Sequence, residues 1–227
     1  FDLKSAYLSA NLHPDSRKFL RFCHKNRLLE ARCLFFCLSC APRIFTKLVK
    51  VPLTKLRSEG VKVHAYLDDF CVIGSSLEEC QTCLEKTLML LQSLGFIINP
   101  TKGQLLPKQS LLLLGHEIDT KSMRVSLSTK RKEKLKEALS ILADGGCVKI
   151  EFVASTIGLM ISCLTAIPFA RLHSRFIENE KNNALHHNKG DMKKNMKLSQ
   201  ESLAEVQWWI SHLDEQKQIQ TDAVRCV

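Results

Sequence analysis

Two adjacent aspartates, Asp68 and Asp69, stand between two short apolar runs. Before them Val61, Val63 and Ala65 alternate with Lys62 and His64, and after them come Phe70 to Ile73. Alternation of this kind predicts a strand, and the pair of runs predicts a hairpin with Tyr66-Leu67-Asp68-Asp69 at its tip. Neighbouring carboxylates repel each other and gain from a cation held between them. Their hard oxygens suit Mg²⁺, which takes one or two carboxylates and leaves its other positions to water and substrate phosphates. The same four residues, taken alone, also make an ordinary acidic turn.

A second acidic position sits in Phe1-Asp2-Leu3-Lys4-Ser5-Ala6-Tyr7, where Asp2 ends an apolar strand. Two-metal phosphoryl transfer needs carboxylates from at least two chain segments, clamping ions about 4 Å apart. Asp2 with Asp68 and Asp69 meets that need if the two strands are neighbours in one sheet. Otherwise Asp2 is a strand-terminal or capping residue.

The elements around these aspartates follow from pattern. Phe19 to Cys23 and Leu34 to Leu38 read as strands or buried segments, and Pro42 to Arg57 as a helix that Pro52 bends or divides. Leu77, Leu84, Leu88, Leu91 and Leu94 predict an amphipathic helix, stopped by Gly95. Phe96 to Ile98, Gln104 to Leu106 and Leu111 to Leu114 are further strands. The order predicts an α+β fold, with helices packed on a small antiparallel sheet. Beyond residue 120 the chain turns helical: Lys130 to Leu142 is basic, Ile150 to Leu164 is apolar, and Ser199 to Leu213 carries Trp208 and Trp209. Asn182 to Lys197 reads as a polar loop, and a strand is expected to start at Gln218.

Composition narrows the class. The 227 residues are 45% hydrophobic and 25% charged, which excludes disorder and collagen-like structure. No apolar run is long enough to span a bilayer, so no membrane partner is expected. Lys+Arg 33 against Asp+Glu 23 gives a net charge of +10, which favours polyanionic partners. Ten cysteines in a chain of this length, with no signal-peptide pattern, read as reduced thiols of an intracellular protein, nucleus or cytoplasm undistinguished. The start at Phe1, inside a motif, reads as a fragment of something longer.

Taken in order, Asp2-Leu3-Lys4-x-Ala6-Tyr7, Tyr66-Leu67-Asp68-Asp69, Leu94-Gly95-Phe96-x-x-Asn99-Pro100-x-Lys102 and Leu113-Leu114-Gly115 resemble motifs A, C, D and E of retroelement reverse transcriptases. The flanking text, Leu12 to Phe22 and Ala41 to Lys47, most resembles DIRS-type (tyrosine-recombinase) retrotransposon polymerases. The resemblance implies a polymerase palm, an antiparallel sheet backed by helices, followed by a helical thumb. Residues 1–120 would be the palm without its fingers, 121–198 thumb and connection, and 199–227 a connection helix and the first strand of a truncated ribonuclease H domain. It implies RNA-directed DNA synthesis on a template–primer duplex of RNA and DNA, from deoxynucleoside triphosphates, with two Mg²⁺ ions or Mn²⁺ in their place.

By the same resemblance Asp2 and Asp68 are the principal metal ligands, with Asp69 beside them and the Leu3 carbonyl as a backbone ligand. Ala6 and Tyr7 contact the nucleotide, Tyr7 as a steric gate against a 2′-hydroxyl, and Lys102 protonates or neutralises the leaving pyrophosphate. Leu114, Gly115 and His116 form the primer grip, Gly115 allowing close backbone approach. The lysines of the basic helix contact duplex phosphates. Asp222 would be the first ribonuclease H ligand.

Departures from the family pattern point to a second reading, a catalytically inactive nucleic-acid-binding remnant, and the segment by itself is expected to be inactive. No fingers precede motif A. Cys37 stands where the family has glycine in motif B, and Ser5 where many relatives are acidic. Cys37-x-x-Cys40 and Cys80-x-x-Cys83 have zinc-like spacing, so a zinc-stabilised binding module is a third reading.

Overall fold

The computed structural model describes residues 1–36 and 38–219. The chain divides into two compact units, Phe1–Pro107 and Lys108–Val227.

In the first unit a 3₁₀ turn, Ala6–Ser9, and a short helix α1 (Pro14–Arg17) lead into hairpin strands β1 (Arg21–His24) and β2 (Arg27–Glu30). Helix α2 (Ala41–Ser58), strands β3 (Lys62–Tyr66) and β4 (Asp69–Ile73) and helix α3 (Leu77–Ser93) follow. Ala41, Phe45, Val49, Leu53 and Leu56 recur at three- and four-residue steps and bury the inner face of α2 with Val61, Val63, Phe70 and Leu91. Pro52 does not divide this helix. Its side chain is buried on that same inner face, where packing outweighs the ~3 kcal/mol that an interior proline costs a helix. Leu48 on the outer face is exposed.

Helix α3 starts with a capping box. Ser76 Oγ accepts from Glu79 N at 3.1 Å, and the Glu79 carboxylate accepts from Ser75 N at 2.7 Å. It ends in a Schellman turn, with Gly95 at φ +86° and Phe96 N–H donating to Leu91 O. Leu34 to Phe36, Leu38 and Gln104 to Leu106 are not in strands. Leu34 is buried, and the strand-like feature beside it is an isolated bridge, Asn11 opposite Cys33, with Leu34 N–H donating to Ala10 O at 2.8 Å.

The second unit opens on a meander, β5 (Ser110–Leu113), β6 (His116–Asp119) and β7 (Arg124–Leu127), followed by helix α4 (Thr129–Ala143). Strand β8 (Val148–Lys149), helices α5 (Ile150–Cys163) and α6 (Arg175–His187), strand β9 (Asn195–Met196), helix α7 (Gln200–His212) and strand β10 (Lys217–Gln218) complete it. The sheet runs β10-β7-β6-β5, antiparallel throughout. Leu135, Leu139, Ile150, Met160, Ile177 and Trp209 fill the core among the four long helices.

The polar loop expected from Asn182 to Lys197 instead begins as helix, because α6 runs on to His187, and carries strand β9 near its end. The carboxylate of Glu205 on α7 reaches the start of α6, accepting from Phe176 N at 3.1 Å and Ile177 N at 3.0 Å. Glu180 on α6 in turn accepts from Ser199 N, at the cap of α7. These reciprocal long-range caps tie two helices whose local sequence is polar.

Candidate active site

The hairpin turn between β3 and β4 is only two residues long, since Tyr66 pairs with Asp69. Leu67 holds φ +55°, a left-handed conformation that hairpin turns normally give to Gly or Asn. The strained tip places Asp68 in the turn and Asp69 at the first paired position.

The segment of residues 1–4 lies against this hairpin. Leu3 N–H donates to Asp68 O at 3.1 Å and Phe70 N–H to Phe1 O at 2.8 Å, which brackets Asp2 opposite Asp69. Bonds outside the pair make it a non-hydrogen-bonded antiparallel pair, the kind whose Cα atoms approach to roughly 4.5 Å with side chains on one face. Phe1 stacks on Phe70, ring centroids 5.1 Å apart, on the adjoining register. On the other edge Lys4 N–H donates to Ile97 O and Asn99 N–H to Asp2 O. Asp2 is therefore in the middle of three extended segments, and it is 9% exposed.

Electrostatics agree with this crowding. Asp69 titrates above the ordinary carboxylate range, first through burial and then through the charges of Asp68 and Asp2, while the Phe1 amino group and Lys102 pull it down. Lys102 is exposed but within electrostatic reach of Asp69. Tyr7 is raised by burial, then by Asp68 and Tyr66. Its ring packs edge-on against Phe36 at 5.2 Å and Phe45 at 5.1 Å, so an aromatic wedge stands close to the Asp68 charge. Ala6 is buried in the core, and Ser5 is exposed at φ +55°.

Among the described residues, no group of three or more His, Cys, Asp or Glu side chains is arranged to hold a metal ion. What the backbone provides is a facing pair, Asp2 and Asp69, with Asp68 next in sequence. Mg²⁺ commonly takes only one or two carboxylates and fills its remaining positions from water and phosphate, so this oxygen donor set fits it.

Two residues to which the motifs assigned no role complete the neighbourhood. Asn99 Nδ2 donates to Asp2 Oδ2 at 3.2 Å. Thr101 donates to Asn99 Oδ1 twice, from its N–H at 3.1 Å and its hydroxyl at 2.9 Å. Asn99 lies in the string that carries Lys102, three residues earlier, and that position was its one signal in the sequence.

Leu114, Gly115 and His116 belong to the second unit. Leu113 pairs with His116, leaving Leu114 (φ +48°) and Gly115 (φ +80°) as a two-residue turn with both positions left-handed. The space beside Gly115 holds the Arg131 guanidinium, whose Cζ lies 2.5 Å from where a Cβ would sit. Arg131 Nη1 also donates to Ser162 O at 3.3 Å and lies 3.5 Å from His116 Nδ1, while His116 Nε2 is 2.7 Å from Thr165 Oγ1. Burial first, and then Arg131, lowers the His116 pKa. On α4, Lys132 pairs with Asp214 at 2.7 Å, whereas Lys130, Lys134 and Lys136 are exposed. Cys80 and Cys83 are partly buried thiols on α3. Cys37 and Asp222 lie outside the described residues.

The fold and these paired carboxylates define a reverse-transcriptase-type polymerase architecture. Solved structures of the foamy viral protease-reverse transcriptase superpose on 96% of the chain. The form called dRH in complex with ds DNA gives TM-score 0.73 at 17% identity over 35% of its own length, and the complex with RNA/DNA hybrid gives 0.71 at 17% over 27%. At such identity the likeness is one of fold. Residues 1–118 match the family described as "Reverse transcriptase (RNA-dependent DNA polymerase)", and the chain belongs to that family. It is 28% identical over 116 residues to the genome polyproteins of two isolates, Shepherd and Hohn, of Petunia vein clearing virus, covering 51% of this chain but 5% of each polyprotein. No helix among the described residues is long and apolar enough to cross a membrane.

Proposed function

We propose that the chain carries the nucleotidyl-transfer site of a retrotransposon's RNA-directed DNA polymerase, of the DIRS type by its flanking motifs. The observation that carries this reading is Asp2 held opposite Asp69 with Asp68 at the adjoining turn. Asp2 and Asp68, with the Leu3 carbonyl, would hold two Mg²⁺ ions, or Mn²⁺, and Asp69 would add negative charge beside them. When bound, the ions lower the pKa of a primer 3′-hydroxyl and offset charge on the transferred phosphoryl group.

The chain's own residues do the rest. Tyr7, wedged between Phe36 and Phe45, would bar a 2′-hydroxyl on an incoming deoxynucleoside triphosphate, next to Ala6. Lys102 would give its proton to the leaving pyrophosphate. Residues 1–120 would serve as palm and 121–198 as thumb and connection. Residues 199–227 would lead into a ribonuclease H domain with Asp222 as its first ligand. Leu114, Gly115 and His116 would steady the primer, and Lys130, Lys134 and Lys136 would contact duplex phosphates. The foamy viral neighbours bound to dsDNA and to RNA/DNA hybrid support a template–primer partner.

Cys37 in place of a motif B glycine favours a second reading, a remnant that binds nucleic acid without synthesis. Binding and primer extension measured together on one labelled RNA/DNA template–primer separate the two, using the full gene product. Mg²⁺-dependent extension supports the polymerase. Salt-sensitive binding without extension supports the remnant, and absence of both removes both.

A further inference from the structure

The Asp2 side chain is held by another side chain. Its Oδ2 accepts from Asn99 Nδ2, and its backbone oxygen accepts from Asn99 N–H at 2.9 Å, so one residue grips both ends of the aspartate. The amide itself has a single workable orientation. Its Oδ1 receives both the N–H and the hydroxyl of Thr101. Turned over, the amide would set an NH₂ group against the Thr101 N–H and an oxygen against the Asp2 carboxylate.

We infer that Asn99 is a positioning residue that fixes the Asp2 carboxylate for a divalent cation, and that Thr101 sets the Asn99 amide for this task. The inference rests on the reading of Asp2 as a cation ligand. The chemistry favours an amide over the alternatives. A lysine or arginine at this position would satisfy Oδ2 equally well but would neutralise Asp2 and weaken its hold on a cation. A neutral amide orients the carboxylate and leaves its charge intact. With Oδ2 engaged, Oδ1 is the oxygen turned to other partners. Because Asp2 is buried, loss of the amide also leaves a carboxylate oxygen without its donor. Hydrogen-bond partners that orient metal-ligating side chains typically contribute 10- to 100-fold to metal affinity.

The test is Mn²⁺ binding to the 227-residue chain, followed by the paramagnetic resonance of free Mn²⁺, in four forms: wild type, Asp2→Asn, Asn99→Leu and Thr101→Val. Leucine and valine are close in shape to the residues they replace and change no charge, so a loss of affinity reports orientation. The expected result is loss of the tight site in Asp2→Asn, an affinity about tenfold weaker in Asn99→Leu, and a smaller loss of about threefold in Thr101→Val. Thr101 is exposed, so its variant keeps the test open should Asn99→Leu fail to fold. Wild-type affinity in a folded Asn99→Leu, or in Thr101→Val, with Asp2→Asn impaired, overturns the inference and leaves the site reading standing. Equal binding by wild type and Asp2→Asn, or none by either, overturns the site reading and the inference together.

Discussion

Asp2 faces Asp69 as a non-hydrogen-bonded antiparallel pair, bracketed by the Leu3–Asp68 and Phe70–Phe1 backbone bonds. Two carboxylates directly opposite are destabilising in a sheet. Asp2 is nonetheless held in the middle of three extended segments, while the more exposed Asp69 opposite it is raised by partial desolvation and then by the charges of Asp68 and Asp2. The proposed function accounts for keeping such a pair, since a bound cation would offset the repulsion between the two carboxylates.

The turn of the β5–β6 hairpin should be sensitive to a single methyl group. Gly115→Ala would put a Cβ at φ +80° and against the Arg131 guanidinium. We expect a loss of about 1–2 kcal/mol from the left-handed backbone alone. Displacing Arg131 from Ser162 and His116 adds to that loss. A double-mutant cycle with Arg131→Ala, read by urea unfolding, should show a coupling of about 0.5–1 kcal/mol. Strict additivity would mean that Arg131 does not occupy that space in solution.

Glu205 caps a helix that is not its own. Replacing it by leucine strips the Phe176 and Ile177 N–H groups of their partner, and a loss of about 1–3 kcal/mol is expected, chiefly for the buried Ile177 donor left unpaired. Amide exchange should quicken first at the start of α6. Unchanged exchange there would remove Glu205 from this role.

The capping box of α3 predicts a pH effect with a definite sign. Backbone and hydroxyl hydrogen bonds from Ser75 lead in lowering the Glu79 pKa. The contribution is therefore fully present above the unfolded value of about 4.3 and is lost as pH falls through the depressed folded value. Ser76→Ala should cost about 1 kcal/mol at neutral pH. Glu79→Gln should flatten the acid limb of the stability curve, and an unchanged acid limb would contradict the assignment.

His116 adds a second pH signature, in the second unit. Its pKa is lowered by burial and then by Arg131, so the folded state binds fewer protons than the unfolded one. The stabilisation is complete above about 6.5 and is lost as pH falls through the folded value. Thermal unfolding of wild type and His116→Gln between pH 5 and 8 should converge toward low pH.

Much of the site was legible because backbone periodicity and motif order are written locally. The alternation of Val61, Val63 and Ala65 marked β3, and the leucine spacing with Gly95 marked α3. The condition that Asp2 and the Asp68–Asp69 hairpin be sheet neighbours is met. The unread parts depend on distant partners. Glu205 stabilises α6 from a separate helix, so the polar run from Asn182 gave no sign of its helical start, Asn182 to His187. Pro52 broke nothing because its inner face is packed. Asn99 gained its place only when residue 2 was folded beside it, and Gly115 was read for close approach of a nucleic-acid backbone, while the neighbour packed against it, Arg131, lies on α4.

The central claim is that Asp68 and Asp69 of the β3–β4 hairpin and Asp2 of the segment beside it act in nucleotidyl transfer. The most direct measurement is Mg²⁺-dependent primer extension on an RNA template by the full gene product, wild type against Asp68→Asn. Loss of several kcal/mol of charge stabilisation corresponds to about a thousandfold drop in rate or more, with template–primer binding retained. Equal extension by the two proteins would contradict the account.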